Sequence, residues 1–375
     1  LNAGGGRFTD VTEETGLIDT SWSGAATPID ANDDGWLDLY ILDMQGHDEY
    51  FENMEGEKFV LSSREVFPKT PWGSMGVKVF DYDNDGTLDL YISDMHSDMS
   101  EDVLPWDEKL KANMQYPEGF LRSGGNSIFG NAFYRKRGPD KFEEISDEIG
   151  AENYWPWGLS VGDVNADGYD DVFLASSMNY PFRHGINSLL INDKGKEFLD
   201  AEYILGVEPR RDGLTAMPWF VVDCDGADAD HKHCEEFSGV VEVWSSVGSR
   251  SSVIFDHDDD GDLDILTNEF NSVPMVLVND LSSKKDIRFL KVKLVGTKSN
   301  RSGIGAVVEV VAGGKRYKKV NDGQSGYLTQ SDFPLYFGLG EAKSVDRITV
   351  WWPSGKKQVL KGPGDINKLI EITEG

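Results

Sequence analysis

A nine-residue acidic pattern recurs four times in this chain, and few architectures can accommodate it. The copies are Asp30-Ala-Asn-Asp-Asp-Gly-Trp-Leu-Asp38, Asp81-Tyr-Asp-Asn-Asp-Gly-Thr-Leu-Asp89, Asp163-Val-Asn-Ala-Asp-Gly-Tyr-Asp-Asp171 and Asp256-His-Asp-Asp-Asp-Gly-Asp-Leu-Asp264. Positions 1, 3 and 5 always carry Asp or Asn, position 6 is glycine and position 9 is Asp. Alternate side chains of a tight loop converge on one point, and a hard cation such as calcium takes about 6 to 8 oxygen ligands. The pattern therefore reads as one Ca2+ per loop, four ions in all. The candidate side-chain ligands are Asp30, Asn32, Asp34 and Asp38; Asp81, Asp83, Asp85 and Asp89; Asp163, Asn165, Asp167 and Asp171; and Asp256, Asp258, Asp260 and Asp264. Trp36, Thr87, Tyr169 and Asp262 at position 7 would offer only a backbone carbonyl, which is why that side chain varies. Glycine at position 6 permits the backbone turn around the ion.

The flanks separate these loops from the helix-bounded calcium loop, whose glutamate lies at position 12. Val77-Lys-Val-Phe80 precedes and Leu90-Tyr-Ile-Ser93 follows the second copy, both β-branched and aromatic runs, so the loop joins two strands. Asp-Gly also marks ordinary hairpin turns, but four copies with the same five positions filled favour a metal site. A second pair of strand-like segments follows several loops, as in Tyr50-Phe-Glu-Asn and Lys58-Phe-Val, or Leu189-Leu-Ile-Asn ahead of Phe198. A repeated four-stranded unit is the signature of a β-propeller. The expected fold is all-β: a calcium-binding propeller over 1–285, either closed within this chain or incomplete in it, then a small β-sandwich or barrel over 286–375.

The loops begin at residues 30, 81, 163 and 256, and the two longer intervals need filling. Ser97–Ser127 reads as an insertion, with a short helix over Glu101–Met114. In the last interval Pro218-Trp-Phe-Val-Val-Asp-Cys-Asp-Gly226 resembles a loop approach, so a degenerate unit is expected there. Asp223, Asp225, Asp228 and Asp230 would be its weaker ligands for a fifth Ca2+. The chain opens at Leu1 in what looks like the closing half of a unit, Gly6-Arg-Phe-Thr-Asp-Val. Either that strand completes the last blade, beside Met275-Val-Leu-Val-Asn279, or further blades lie upstream.

A formal charge of −30 with 66 acidic residues excludes the basic footprint of a nucleic-acid binder. No run of 18 or more apolar residues is present, so no membrane-spanning helix is expected. Cys224 and Cys234 bracket a short polar loop. They read as a disulfide formed in an oxidising compartment, or, with His231 and His233, as a transition-metal site.

After Lys285 the acidic loops stop and lysines become frequent. The block Gly296-Thr-Lys-Ser-Asn-Arg-Ser-Gly-Ile-Gly-Ala306, Gly323-Gln-Ser-Gly-Tyr-Leu-Thr-Gln-Ser331, Tyr336-Phe-Gly-Leu-Gly340 and Val350-Trp-Trp-Pro-Ser-Gly355 closely resembles the ASPIC/UnbV domain. The four acidic loops resemble FG-GAP/VCBS repeats of integrin-α-like propellers. Together they resemble the bacterial relatives of cartilage acidic protein. That resemblance implies a secreted, periplasmic or cell-surface calcium-binding propeller.

Three functions are open from the sequence. The first is a binding or scaffold module for a protein or glycan, using the 97–127 insertion, the Cys224–Cys234 loop or the Trp155, Trp157 and Trp219 stretches; core packing is the plainer role for those tryptophans. The second is an extracellular enzyme acting on carbohydrate or another small substrate in the propeller channel. Its distinctive polar residues are His184 and Arg210-Arg211-Asp212, but no nucleophile elbow, zinc-protease motif or phosphate loop accompanies them. The third places recognition in the C-terminal domain, where Gln324, Ser325, Tyr327 and Gln330, near Arg301, either meet a partner or dock that domain on the propeller.

Overall fold

A computed structural model describes residues 1–95, 127–177 and 184–375. The proposed insertion at 97–127 and its helix fall almost wholly outside the described residues. Antiparallel meanders dominate. The first sheet runs Ser23–Ile29, Asp38–Asp43, Glu49–Met54, Lys58–Leu61, and the second Ser74–Phe80, Asp89–Asp94, Ala132–Gly138, Lys141–Glu144. The third runs Pro156–Gly162, Asp171–Ser176, Ser188–Asn192, Phe198–Asp200. The fourth has three strands, Gly248–Phe255, Asp264–Phe270 and Met275–Leu277. Each acidic loop joins the lead strand of its sheet to the next strand.

The sheets pack face to face and each interface has its own core. Tyr40, Leu42, Tyr50 and Phe67 of the first unit meet Val77, Val79, Leu90 and Tyr134 of the second. Phe80, Tyr91 and Phe133 meet Leu159, Leu174 and Phe198, and Phe173 and Leu189 meet Leu263 and Ile265. Because both faces of a middle strand are covered, Asp89–Asp94 and Asp171–Ser176 are buried along their whole length, as fully covered strands must be. The lead strands lie next to one another in chain order. This is a propeller-like arrangement of sheets.

Every lead strand carries a register shift at the same place: Ser23/Ala25, Ser74/Gly76, Pro156/Gly158 and Ser249/Ser251. The two-stranded sheet Ala216–Asp223 with Val240–Ser246 has it too, at Pro218/Phe220. At the place of the expected degenerate unit the described residues form this hairpin alone, and the third and fourth sheets pack directly on each other without it between them. The N-terminal segments Asn2–Gly4 and Arg7–Phe8 pair with each other, so they do not complete the sheet ending at Met275–Leu277.

The C-terminal residues form a sandwich. Lys315–Val320, Val307–Ala312, Val345–Trp351 and Lys357–Gly364 make one layer; Leu335–Gly338, Phe289–Val295 and Lys368–Thr373 make the other. Leu290, Val308, Val310, Phe337, Ile348 and Val350 fill the space between them. A bridge from Lys319 to Phe80 joins the first layer to the second propeller sheet.

Glu374 ties the end of the sandwich to a loop. Its Oε2 accepts the N–H groups of Thr297, Lys298 and Ser299 at 2.8, 2.7 and 2.8 Å. Burial alone would raise this carboxyl, but these donors and Ser354 hold it down to about 2. A depressed carboxylate stabilises the fold above the ordinary glutamate range and loses that contribution as pH falls towards 2. Glu374→Gln is thus expected to lower the melting temperature by several degrees at pH 7 and by much less at pH 3. Equal losses at both pH values would show that charge is not what the loop reads.

Candidate metal loops and the loop that meets them

The four acidic loops share one backbone. Position 6 is left-handed at Gly35, Gly86, Gly168 and Gly261 (φ 90 to 100°), a conformation that favours glycine. Position 4 is left-handed as well, at Asp33, Asn84, Ala166 and Asp259 (φ 62, 57, 54 and 60°). Two such turns fold the chain back, and the position-1 carboxylate accepts the position-6 N–H in each copy, as Gly35 to Asp30 at 3.1 Å and Gly168 to Asp163 at 2.8 Å. Gly86 to Asp81 and Gly261 to Asp256 follow at 2.9 and 3.0 Å. Carboxylates at positions 1, 3 and 5 gather: in Asp81, Asp83 and Asp85, and in Asp256, Asp258 and Asp260, one oxygen from each lies within 4.8 Å of the others. The first and third loops place Asn32 and Asn165 at position 3, also an oxygen donor.

Position 9 has a different environment. Asp38, Asp89, Asp171 and Asp264 are buried. Asp38 accepts Ala31 N–H (3.1 Å), Asn53 N–H (2.7 Å) and Tyr50 hydroxyl (2.7 Å). Asp171 accepts Val164 and Asn192 N–H at 2.9 and 2.8 Å, and Asp264 accepts His257 and Asn279 N–H at 2.9 and 2.8 Å. This residue clamps the loop to the third strand of its sheet. Asn53, Asn192 and Asn279 complete the clamp by donating to the position-8 carbonyls of Leu37, Asp170 and Leu263. Sequence reasoning passed over these asparagines. Their signal was there, an Asn at or just past the end of the third strand.

The electrostatics favour a cation. Burial pushes Asp81 and Asp163 up to about 7 and Asp89 to about 8, each raised further by neighbouring loop carboxylates. Asp256 Oδ1 and Asp262 Oδ1 are buried without a hydrogen-bond partner. Crowded, desolvated carboxylates repel one another and prefer protonation unless positive charge is supplied. The side chains at positions 1, 3 and 5 offer oxygen alone, which fits calcium better than a softer metal, although in the fourth loop His257 also lies within reach of Asp258 and Asp264.

Part of that positive charge comes from the C-terminal sandwich. Lys291 lies 2.8 Å from Asp256 and 3.1 Å from Asp259. Lys318 donates to the Gly86 carbonyl at 2.9 Å, and Lys319 pairs with Asp170 at 2.6 Å. The lysines noted after residue 285 thus face the acidic loops. Within the propeller, buried Lys136 reaches across to Asp33 at 2.6 Å.

A second feature joins the two parts. The segment Asp322–Thr329 touches all four lead strands. Gln324 donates to the Ala26 carbonyl at 2.9 Å, and Asp322 takes Lys78 at 2.7 Å. Gly326 N–H donates to the Leu159 carbonyl at 3.0 Å. The Ser325 hydroxyl donates to the Ser252 carbonyl at 2.6 Å, and Tyr327 N–H donates to the Ser251 hydroxyl at 3.2 Å. Tyr327 also packs edge-on against Trp157, with ring centroids 5.0 Å apart, and the Arg250 guanidinium lies over that indole at 3.6 Å. Of the two readings of Gln324, Ser325 and Tyr327, docking onto the propeller is the arrangement seen. Gln330 pairs back onto Gln324 in a bridge, and Arg301 is exposed.

The remaining candidates separate. Cys224 and Cys234 form a disulfide, which consumes both thiols and corrects the transition-metal alternative; His231 and His233 stack on each other instead. Asp223 and Asp228 meet through backbone, Asp228 accepting Asp223 N–H at 2.9 Å. Among the described residues no three of Asp223, Asp225, Asp228 and Asp230 gather as the other loops do. Arg210 is buried against Glu269 and Ser249, whereas Arg211 and Asp212 are exposed. His184 contacts the Val247 carbonyl at 2.8 Å, and burial lowers its pKa. His184 is within electrostatic reach of the Arg210–Glu269 pair. Trp157 is packed, as the plainer reading had it, but Trp219 is 44% exposed.

Two family matches accord with this geometry. Residues 30–92 and 120–174 match the FG-GAP-like repeat, and residues 296–375 match the family described as ASPIC and UnbV. The first three acidic loops fall inside the repeat match; the fourth rests on its own geometry. No curated protein matches the chain.

Proposed function

We propose that this chain, an FG-GAP repeat protein with a C-terminal ASPIC/UnbV domain, is a calcium-stiffened binding module for a protein or glycan partner outside the cytoplasm. The observation that carries this reading is the segment Asp322–Thr329, which docks across all four lead strands and leaves only a small cavity, about 120 Å³, against them. Recognition then falls to the outer surface.

The stapled hairpin Ala216–Ser246 is the favoured contact. Trp219 and Trp244 are 44% and 53% exposed, with Val221, Phe237 and Val240 exposed beside them in the same hairpin. Rigid aromatic groups on a fixed scaffold suit either partner class. The disulfide supports an oxidising compartment: secreted, periplasmic or cell-surface. Calcium would be held by positions 1, 3 and 5 of the four loops, where it offsets carboxylate repulsion and holds each lead strand to its neighbour.

The test is binding of the purified chain to glycan arrays and to a displayed library of extracellular proteins, in calcium and in chelator. A specific ligand is expected in calcium only, with at least tenfold weaker binding for Trp219→Ala/Trp244→Ala and an unchanged melt. Binding that survives both chelation and the double substitution would overturn the reading.

A further inference from the structure

We propose that Asp19, Asp43 and Glu49 form a further hard-cation site of the calcium class, at the end of the first sheet opposite the Asp30–Asp38 loop. The acidic loop lies where Ser23–Ile29 turns into Asp38–Asp43. Asp43 closes that second strand, Glu49 opens the third, and Asp19 precedes the first. A strand of six residues separates the two ends, a span of about 17 Å at the usual rise. The two groups of carboxylates therefore cannot share an ion.

One oxygen from each of the three side chains lies within 4.8 Å of the others. Clustering alone is common on an acidic surface, but here an independent observation points to a missing ligand partner. Asp43 is fully buried, and its Oδ2 has no hydrogen-bond partner. Glu49 Oε2 is likewise buried and unpartnered. Among the described residues, no lysine or arginine forms an ion pair with any of the three. A buried carboxylate left in that condition is costly unless it is protonated or meets a cation.

The protons available do not satisfy the oxygens. Asp19 Oδ1 accepts the Ser21 N–H at 2.7 Å, which leaves the single proton of the Ser21 hydroxyl for Asp43 Oδ1 and none for Asp43 Oδ2 or Glu49 Oε2. Ser23 donates to the other oxygen of Asp19. Burial also raises Asp43 to about 6 and Glu49 to about 7, with Asp19 adding to both.

The second sheet shows what an ordinary solution looks like. Asp94 closes its second strand as Asp43 closes that of the first, and Asp94 Oδ2 accepts the Gly73 N–H at 2.7 Å. Asp43 Oδ2 has no such donor. The third sheet ends the same strand in Ser176. Among the described sheets, the unsatisfied arrangement belongs to the first.

Three carboxylates and no nitrogen or sulfur make a site for a hard dication. The experiment counts calcium bound per chain by mass spectrometry after equilibrium dialysis at fixed free calcium, at about pH 7.5. Asp43→Asn and Glu49→Gln are each expected to hold one ion fewer than the parent. Glu49 is only half-buried, so its variant carries the test if Asp43→Asn fails to fold. Asp81→Asn, measured in parallel, reports on the acidic loops, so that failure of the loop reading is seen separately. Equal calcium in the parent and in whichever of the two variants folds would overturn the proposal, leaving a carboxylate cluster that holds protons.

Discussion

Excess chelator is expected to lower the melting temperature of this protein by on the order of 20 °C, or to leave it unfolded at room temperature. An ion bound only by the folded state, present at a hundredfold over its dissociation constant, adds ~2.7 kcal/mol; four such sites add roughly 11, against a typical total of ~5–15. The structural reason is local. Asp81 and Asp163 are buried at the heads of their loops, beside other carboxylates, and without a dication the folded state concentrates charge that the unfolded chain disperses.

The pH dependence has a definite sign. These carboxyls sit above their ordinary range in the fold, so the calcium-free protein loses stability as pH rises from about 4 through 7. Chelated protein should melt higher at pH 5 than at pH 8, and calcium should abolish or reverse that order. Calorimetry at both pH values, with and without calcium, checks it. A melt indifferent to chelator would remove the metal from the account of this fold.

The second large effect is expected at Gly158. A Cβ built there would lie 2.2 Å from Tyr327 N and 2.5 Å from Gly326 C. Both are backbone atoms, so no side-chain rotation relieves the clash. Gly158→Val should expel the Asp322–Thr329 segment and break its hydrogen bonds to Leu159, Ser251 and Ser252. At a net ~1 kcal/mol per bond, with packing lost besides, the cost is roughly 4 kcal/mol. The sandwich should then melt apart from the propeller, and protease should cut between them.

Gly24→Ala is the control, since its nearest neighbour is the flexible Met44 side chain at 3.1 Å. It should shift the melt by no more than a few degrees and leave one transition. A single transition at the parental temperature for Gly158→Val would mean that the docked segment contributes little.

Local chemistry was legible wherever a residue's role depends on near neighbours. Spacing within Asp81–Asp89 foretold a loop between strands, and the glycine at its sixth position sits where φ is positive, 91°. Cys224 and Cys234 are close in sequence and pair across one hairpin. The position-9 aspartates were harder to read. Asp38 and Asp171 look like further loop carboxylates in the sequence, whereas in the structure their oxygens accept N–H groups from a strand of the same sheet. Composition does not distinguish an oxygen facing an ion from one facing an amide.

Distance along the chain explains the rest. Gln324 meets Ala26 across 298 residues, and Ser325 meets Ser252 across 73; neither segment carries a pattern that names the other. Asp19, Asp43 and Glu49 belong to three separate stretches that only sheet pairing brings together. The amino-acid sequence by itself determined the acidic loops, the strands they join and the oxygen donors they carry, because those follow from spacing over a few residues. Only the tertiary structure decided that the C-terminal sandwich covers the lead strands, and that an unsatisfied carboxylate lies buried at the far end of the first sheet. Those depend on which surfaces meet, and burial is a property of the packed whole.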